Sequence, residues 1–531
     1  MYLIVPNNRF YYFLHIIFEA KLLSCRTLNG TRFKIMSSPD QFLYKKIIYI
    51  DNKSSRPVYL QIVHQMINAI QRGYLMKGMK LLGTRSMSDI LQVHRKTVIA
   101  AYEELDAQGW VETIPNKGTF VIESGSFKNM NIKNLQRQDL ATYPQQTGFS
   151  FRQSNLLDNP FEHSSCTYIF NDGVPDTRLS QIGNYSSFYS ANLKRKSSYR
   201  KIGYYNTEGS EYFKEHLSQY LNLSRGLHIS KNNLLITRST EMSIYIISEI
   251  LLSEGDMVVV GDPSYFAVNM IFQKSGAVIK TIPVDEEGIR TDLIEELCKK
   301  TKIRMLYLTP HHHYPTTVPL SAQRRIELLS LASQYGFAIV EDDYDFEFHY
   351  DNSAILPMAS SDTDGMVIYV GSFGKSLAPG FRTGFIVAPE NLMTEMRKYL
   401  GIIDRQGDII MEQALGEMIA EGEINRHLKK SAKIYKERRD LFTDLLQKHL
   451  RDQVKFSIPS GGLAVWLEWQ SPVNLFQLSS YCQQHDLFIP RTLLYQNKDY
   501  TALRLGYGHL EEDEMNKSLQ ILHDANESLK K

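Results

Sequence analysis

The sequence predicts an α/β protein of two domains: a small N-terminal domain of helices closed by a β-hairpin, then a large domain built on a mostly parallel sheet. Three observations carry this. At 531 residues the chain exceeds one ordinary hydrophobic core. Between Pro57 and Val121, helical periodicity gives way to two short strand-like runs. Further along, continuous apolar runs alternate with amphipathic helical patterns, which implies parallel strands covered on both faces. A hydrophobic content of 43% and a charged content of 22% are those of a globular protein, and the net charge of +2 confines any nucleic-acid surface to a local patch. The four cysteines (Cys25, Cys166, Cys298, Cys482) form no CxxC pair, which argues for a reducing, cytoplasmic setting and against a thiolate metal site.

Residues 1–40 read as a non-functional upstream extension, with the working protein starting at Met36. The apolar part of "RFYYFLHIIFEAKLL" falls well short of the roughly 20 residues a bilayer span needs. No small-residue cleavage site follows it.

The next domain is expected at 41–123. "PVYLQIVHQMINAIQRG" sets Leu60, Val63, Ile67 and Ile70 at helical spacing, ended by Gly73. A short helix follows at about Ser86 to Leu91. After a turn at Gln92–Val93, a longer helix runs from near Arg95 to Gly109. "WVETIPNKGTFV" then gives two strands around a polar turn at Pro115–Gly118. This order is that of a winged helix-turn-helix. Such a motif reads DNA with polar and basic side chains at the start of its second helix and with phosphate contacts around them. His94, Arg95, Lys96 and Thr97 stand at that start, Arg85 just before the first helix of the pair, and Lys117 at the wing tip. Five basic residues and one acid lie between Lys77 and Lys96. The segment resembles a GntR-type DNA-binding domain along nearly its whole length, from "PVYLQI" through "TRSMSDILQVHRKTVIAAYEELDAQGWVE" to "NKGTFV". It departs at Leu82, where the family usually has proline, and at Gln92, where it usually has glycine in the turn.

Residues 124–165, rich in Gln, Asn and Ser, read as a flexible linker. A coil of that length spans about 35–40 Å.

The large domain is expected at 166–531. "DMVVVGD", "IRMLYLTP", "FAIVEDD", "MVIYVGS" and "GFIVAP" are strand-like, with helices such as Thr240–Leu252 and Ser321–Gln334 between several of them. Ligands of such sheets sit at the carboxyl ends of the strands. Asp342, Asp343 and Tyr344 follow one strand there, and Ser372 and Lys375 another. In "GSFGKSLAPGFRTG" the Gly-Lys-Ser letters are not a P-loop, because Tyr369 occupies the position that would need the first glycine. A lysine and an acid at neighbouring strand ends are instead what pyridoxal phosphate requires. The lysine amine condenses with the aldehyde, and the carboxylate keeps the ring nitrogen protonated. The phosphate needs helix N-terminal N–H groups and a cation. "HHHYP" invites a metal reading, but adjacent imidazoles on extended chain point to opposite faces and no carboxylate stands at ligand spacing, so no metal is expected.

From "FNDGVPDTRLS" to "LRLGYG", about Phe170 to Gly508, the chain resembles fold-type I aminotransferases, and more closely the aminotransferase-like domain of MocR/GabR-type regulators. "EDDYDFEF" and "GSFGKSLAPGFRTG" are very similar to that family's signatures. By position, the resemblance implies that Lys375 forms the Schiff base, Asp342 pairs with the pyridine nitrogen, Tyr344 bonds the ring hydroxyl and Tyr265 stacks on the ring. Asp343 is the alternative acid if the register slips by one. Ser239, Thr240, Ser372 and Arg382 would hold the phosphate, helped by Tyr204 from a second subunit. Arg504 would take an effector carboxylate, and His312, on a loop that lines the cofactor pocket, would touch the ligand. Ser239 and Thr317 stand where the family has glycine, and Gly374 where a serine usually precedes the lysine, which puts efficient transamination in doubt.

The resemblance implies a cytoplasmic, pyridoxal-phosphate-dependent transcriptional regulator. Its winged helix would bind operator DNA, and its large domain would sense an amine, an amino acid or the cofactor itself, within a head-to-tail homodimer. The alternatives are an active aminotransferase with a vestigial DNA-binding domain, and a repressor whose large domain is only a dimerisation scaffold.

Overall fold

The computed structural model describes residues 44–529 except 46, 52–53, 55, 72–73, 76–77, 116, 123–144, 155–161, 163, 181, 204–207, 352–354, 491–494 and 497–499. The expected extension at 1–40, Gly73, Lys77, most of the expected linker and Tyr204 therefore lie outside the described residues. The chain divides into two compact units, Met1–Phe151 and Arg152–Lys531.

In the first unit, α1 (Val58–Gln71) buries Ile62, Val63, Met66 and Ile67. Leu60 and Ile70, expected on the same stripe, are only partly buried, because the core-facing side is centred between Ile62 and Met66. α2 (Thr84–Leu91) starts two residues earlier than expected, which puts Arg85 inside its first turn. Gln92 ends it in the left-handed region (φ 55°), its N–H returning to Ser88 O and its side chain donating to Asp89 O at 2.7 Å. The tight turn is thus built without glycine. α3 (Arg95–Ala107) stops two residues short of the expected Gly109. β1 (Val111–Ile114) and β2 (Gly118–Val121) pair antiparallel, Val111 against Val121 and Ile114 against Gly118. Val63, Met66, Met87, Val98, Leu105 and Val111 share one core. Leu82, at the usual proline position, is fixed by its carbonyl, which accepts from Tyr102 Oη at 2.8 Å.

The second unit is built on an eight-stranded sheet: β3 (Leu234–Thr237), β4 (Met257–Asp262), β5 (Val278–Asp285), β6 (Gly288–Ile289), β7 (Met305–Leu308), β8 (Ala338–Asp343), β9 (Val367–Ser372) and β10 (Gly384–Val387), in the order β3-β10-β9-β8-β7-β4-β5-β6. The β9–β8–β7–β4–β5 pairs are parallel, while β10 runs antiparallel to both neighbours. Alternate residues enter different cores: Val258, Val260 and Val340 pack with Ile244 and Ile247 of the helix Thr240–Leu251, whereas Val259 and Ile339 pack with Leu328 and Leu331 of the helix Ala322–Tyr335. Two buried faces explain why these strands read as unbroken apolar runs.

A C-terminal layer carries an antiparallel sheet of β11 (Val454–Phe456), β12 (Ala464–Trp469) and β13 (Ala502–Gly506), with Arg504 opposite Trp466. The segment before Asp172 is tied to this layer, since Phe170 N donates to Phe488 O at 3.0 Å and Gly506 N to Asn171 O at 2.8 Å. Among the described residues, no helix is long and apolar enough to cross a membrane.

Candidate functional site

The carboxyl ends of β4, β7, β8 and β9 open on a cavity of about 320 Å³. Lys375, Asp342, Tyr344, Tyr265, Ser239, Thr240, Ser372 and Arg382 all line it. Strand alternation separates the two adjacent acids. Asp342 faces the cavity, accepts from Tyr307 Oη at 2.7 Å through Oδ2, and has a buried Oδ1 without a hydrogen-bond partner. Asp343 faces away, next to His311 Nδ1 (3.0 Å) and Arg225 Nε (3.8 Å), and takes the hydroxyl of Tyr369. Burial pushes Asp342 up to about 7, with Glu241 and Asp343 adding to the rise against the Tyr307 bond. Burial also acts upward on Asp343, but His311 and Arg225 overcome it and hold that acid at about 2.

Lys375 Nζ donates to the Gly173 carbonyl at 2.6 Å and lies 5.4 Å from the Tyr344 ring centroid. Burial keeps its amine below the usual lysine value, with Asp172 opposing and Arg504 reinforcing the shift. Ser239 caps the helix Thr240–Leu251, its hydroxyl accepting from Met242 N at 3.2 Å, so this helix directs its N-terminus at the cavity. Arg382 sits in the left-handed region (φ 46°), exposed, with no ion pair among the described residues. Tyr265 packs edge-on against Tyr314, ring centroids 4.7 Å apart. An amine, a buried acid with one unpartnered oxygen, a helix N-terminus and a guanidinium with no ion pair among the described residues are together a donor set that fits pyridoxal phosphate.

Two residues expected at the ligand sit differently. His312 is buried, its Nδ1 2.8 Å from Asp345 Oδ1, and its ring is not part of the lining. It reaches the cavity through its carbonyl, which accepts from Tyr344 Oη at 2.9 Å. Arg504 is likewise buried behind the lining. Its Nη1 donates to Pro315 O at 2.9 Å, its Nη2 to Tyr344 Oη at 3.4 Å, and its Nε lies 3.2 Å from Asp172 Oδ1. The three histidines of "HHHYP" have separate partners: His311 the Ile355 carbonyl, His312 Asp345, and His313 Thr316.

In the first unit, His94, Arg95 and Lys96 are exposed and Thr97 half-buried at the start of α3. His94 is also the cap of that helix, its Nδ1 accepting from Lys96 N at 3.2 Å, and Arg95 Nε donates to Thr84 Oγ1 at 3.2 Å. Arg85 is exposed on α2, and Lys117 is exposed where the two strands of the hairpin turn.

Residues 186–520, more than half the chain, match the model of aminotransferase class I and II. The chain belongs to this aminotransferase family. Residues 58–121 match a second model, that of bacterial regulatory proteins of the gntR family. Among curated relatives, the chain is 27% identical to the uncharacterized HTH-type transcriptional regulator YdfD of Bacillus subtilis, over 92% of this chain and 98% of that one. It is 26% identical to the probable rhizopine catabolism regulatory protein MocR of Rhizobium meliloti, over 78% and 83%. Among solved structures, the kynurenine aminotransferase of Pyrococcus horikoshii superposes with a TM-score of 0.63 at 25% identity, covering 69% of this chain and 92% of that one.

Pyridoxal phosphate is the cofactor that this aminotransferase fold implies. Of the three departures from the family pattern, only Thr317 is strained: it is buried with φ 65°, a backbone state that suits glycine. Gly374 has room for a side chain, since an added Cβ would meet nothing nearer than Ser372 Oγ at 3.7 Å. Ser239 has ordinary extended geometry. Sequence reasoning missed Asp172, Arg238, Glu241, Tyr307 and Tyr314, all of which line the cavity. Tyr307 was legible in principle, as an inward position on the apolar strand "MLYL" next to the acid-bearing one.

Proposed function

We propose that this chain is a DNA-binding transcriptional regulator whose aminotransferase-like unit carries pyridoxal phosphate and senses an amine-bearing small molecule. The observation that carries the reading is that one chain holds both parts. It has a winged helix with exposed Arg95 and Lys96 at the start of α3, and a cavity lined by a lysine and by a buried acid with one unpartnered oxygen.

When bound, the cofactor supplies an electron sink for the carbon that carries the amine. The chain's residues do the rest. Lys375, held below its ordinary value by burial, keeps more of its amine neutral and nucleophilic. Asp342 would hold the ring nitrogen and its proton through Oδ1, while Tyr307 fixes the carboxylate through Oδ2. Arg382, Ser372 and the N-terminus of the helix Thr240–Leu251 would hold the phosphate. Tyr265 and Tyr344, which line the cavity, would hold the ring. In the other unit, Arg95 reads a base while Arg85, Lys96 and Lys117 bind phosphates. The working form is a head-to-tail homodimer.

Purified protein should be yellow, and borohydride should fix the cofactor to Lys375, as peptide mapping would report. Selection from random duplexes should then return a defined operator. A colourless protein that binds DNA without sequence preference would sink the reading. The rival, a working aminotransferase, is favoured by the same Lys375 and Asp342. Turnover of an amino donor and a 2-oxo acid at rates typical of enzymes, about 1 per second or more, would promote it.

A further inference from the structure

We propose that Asp172 makes the cavity selective for primary amines that carry no carboxylate on the amine-bearing carbon, by occupying Arg504 from within the chain. This rests on the cofactor-bearing, ligand-sensing reading above and names the ligand class of that site.

Arg504 is the cation an amino-acid carboxylate would seek, and it is already enclosed. Its Nε stands 3.2 Å from Asp172 Oδ1, its Nη1 donates to the Pro315 carbonyl at 2.9 Å and its Nη2 to Tyr344 Oη at 3.4 Å. The face of the guanidinium lies 5.0 Å from the centroid of the Tyr314 ring. Side-chain exposure is 1% for Arg504 and 24% for Asp172. Asp172 lines the cavity and Arg504 does not. A ligand therefore meets the acid before the arginine. The pairing is close without being aligned: both Asp172 Oδ1 and Arg504 Nε are buried and lack a directed hydrogen bond. The acid is held in place by the backbone on either side, where Gly506 N donates to Asn171 O and Lys375 Nζ to Gly173 O. Glu241 and Asp342 are the other acids of the lining, which also holds Arg238 and Arg382. A carboxylate entering beside Lys375 would bring a negative charge that reaches Arg504 only by displacing Asp172 from it. A simple amine brings no such charge.

The test uses holoprotein and matched pairs, 2-phenylethylamine with phenylalanine and isopentylamine with leucine, titrated against the absorbance of the bound cofactor. Wild type should bind each amine at least tenfold more tightly than its amino acid. In Asp172→Asn, which keeps an acceptor near Arg504, that ratio should fall at least tenfold, mainly through tighter amino-acid binding. Asp172→Ser should move it the same way, and near-ultraviolet circular dichroism should confirm that both variants are folded. Amino acids binding as tightly as their amines to wild type, or a ratio unmoved in both folded variants, would overturn the assignment of Asp172. Holoprotein that responds to neither member of any pair would overturn the ligand-sensing reading itself, and this inference with it.

Discussion

Tyr307 donates its hydroxyl to Asp342 Oδ2 at 2.7 Å, while Asp342 Oδ1 is buried with no partner. One oxygen is fixed and the other is left for a ligand donor. Asp342→Asn should retain the fold and weaken cofactor binding by roughly tenfold or more, the equivalent of one charge-assisted hydrogen bond. Equilibrium dialysis against pyridoxal phosphate measures this. Asp343→Asn, on the opposite face of the same strand, should instead reduce stability, since it unpairs His311 and Arg225 in the core.

The same acid predicts a pH dependence in cofactor-free protein. Asp342 is raised from its ordinary 3.8 to about 7, so the folded state keeps a proton that the unfolded chain releases. Its contribution to stability is complete below about pH 4 and is lost as the pH rises toward 7. The melting temperature of cofactor-free wild type should therefore fall relative to that of Asp342→Asn across this window. A constant difference between the two would contradict the burial argument.

Arg504 is buried against the partly exposed Asp172, so removing the arginine leaves an acid in the cavity wall without its cation. Arg504→Met should cost about 3–5 kcal/mol in urea unfolding. Asp172→Asn should cost less, because the amide oxygen still accepts near Arg504 Nε. A double-mutant cycle of Arg504→Met and Asp172→Asn with no interaction energy would show that the pair is not energetically coupled.

How far these features could be read from sequence depends on whether they are local. The strands "FAIVEDD" and "MVIYVGS" were legible because both their faces are buried, and Asp342 and Lys375 followed from where those strands end. β5 was not read because its residues are mostly exposed or half-exposed, which dilutes the apolar run. The Asp172–Arg504 pair was illegible for a different reason. The two residues lie near opposite ends of the large unit, and bonds between distant segments, such as Gly506 N to Asn171 O, bring them together. Sequence placed His312 on the right loop but could not tell which way its ring turns, and Asp345 decides that.

Thr317 stores backbone strain, being β-branched with φ 65°. Thr317→Gly should raise stability by about 0.5–1 kcal/mol, less than the full left-handed penalty because glycine also loosens the unfolded chain. Gln92→Gly, also at a left-handed position, should be close to neutral, because it gives up the side-chain bond to Asp89 O. Chemical denaturation of both variants would check the contrast.

On DNA, Arg95→Ala should cost about 1–3 kcal/mol and relax preference at one base position. Lys96→Ala and Lys117→Ala should each lower the salt dependence of binding by about one unit of slope and weaken all sequences alike. Fluorescence anisotropy across a salt series separates the two behaviours. A uniform loss for Arg95→Ala would reassign it to the phosphates.

The central claim is that the cofactor cavity and the winged helix share one equilibrium. The most direct measurement titrates 2-phenylethylamine into holoprotein with and without saturating operator DNA, and titrates the operator with and without the amine. Coupling requires both affinities to change by the same factor, typically about 5–150-fold. That reciprocal shift is the predicted result. Amine binding confirmed by the cofactor's absorbance, with neither affinity moving when the other ligand is present, would contradict the account and leave an aminotransferase fused to an independent DNA-binding domain.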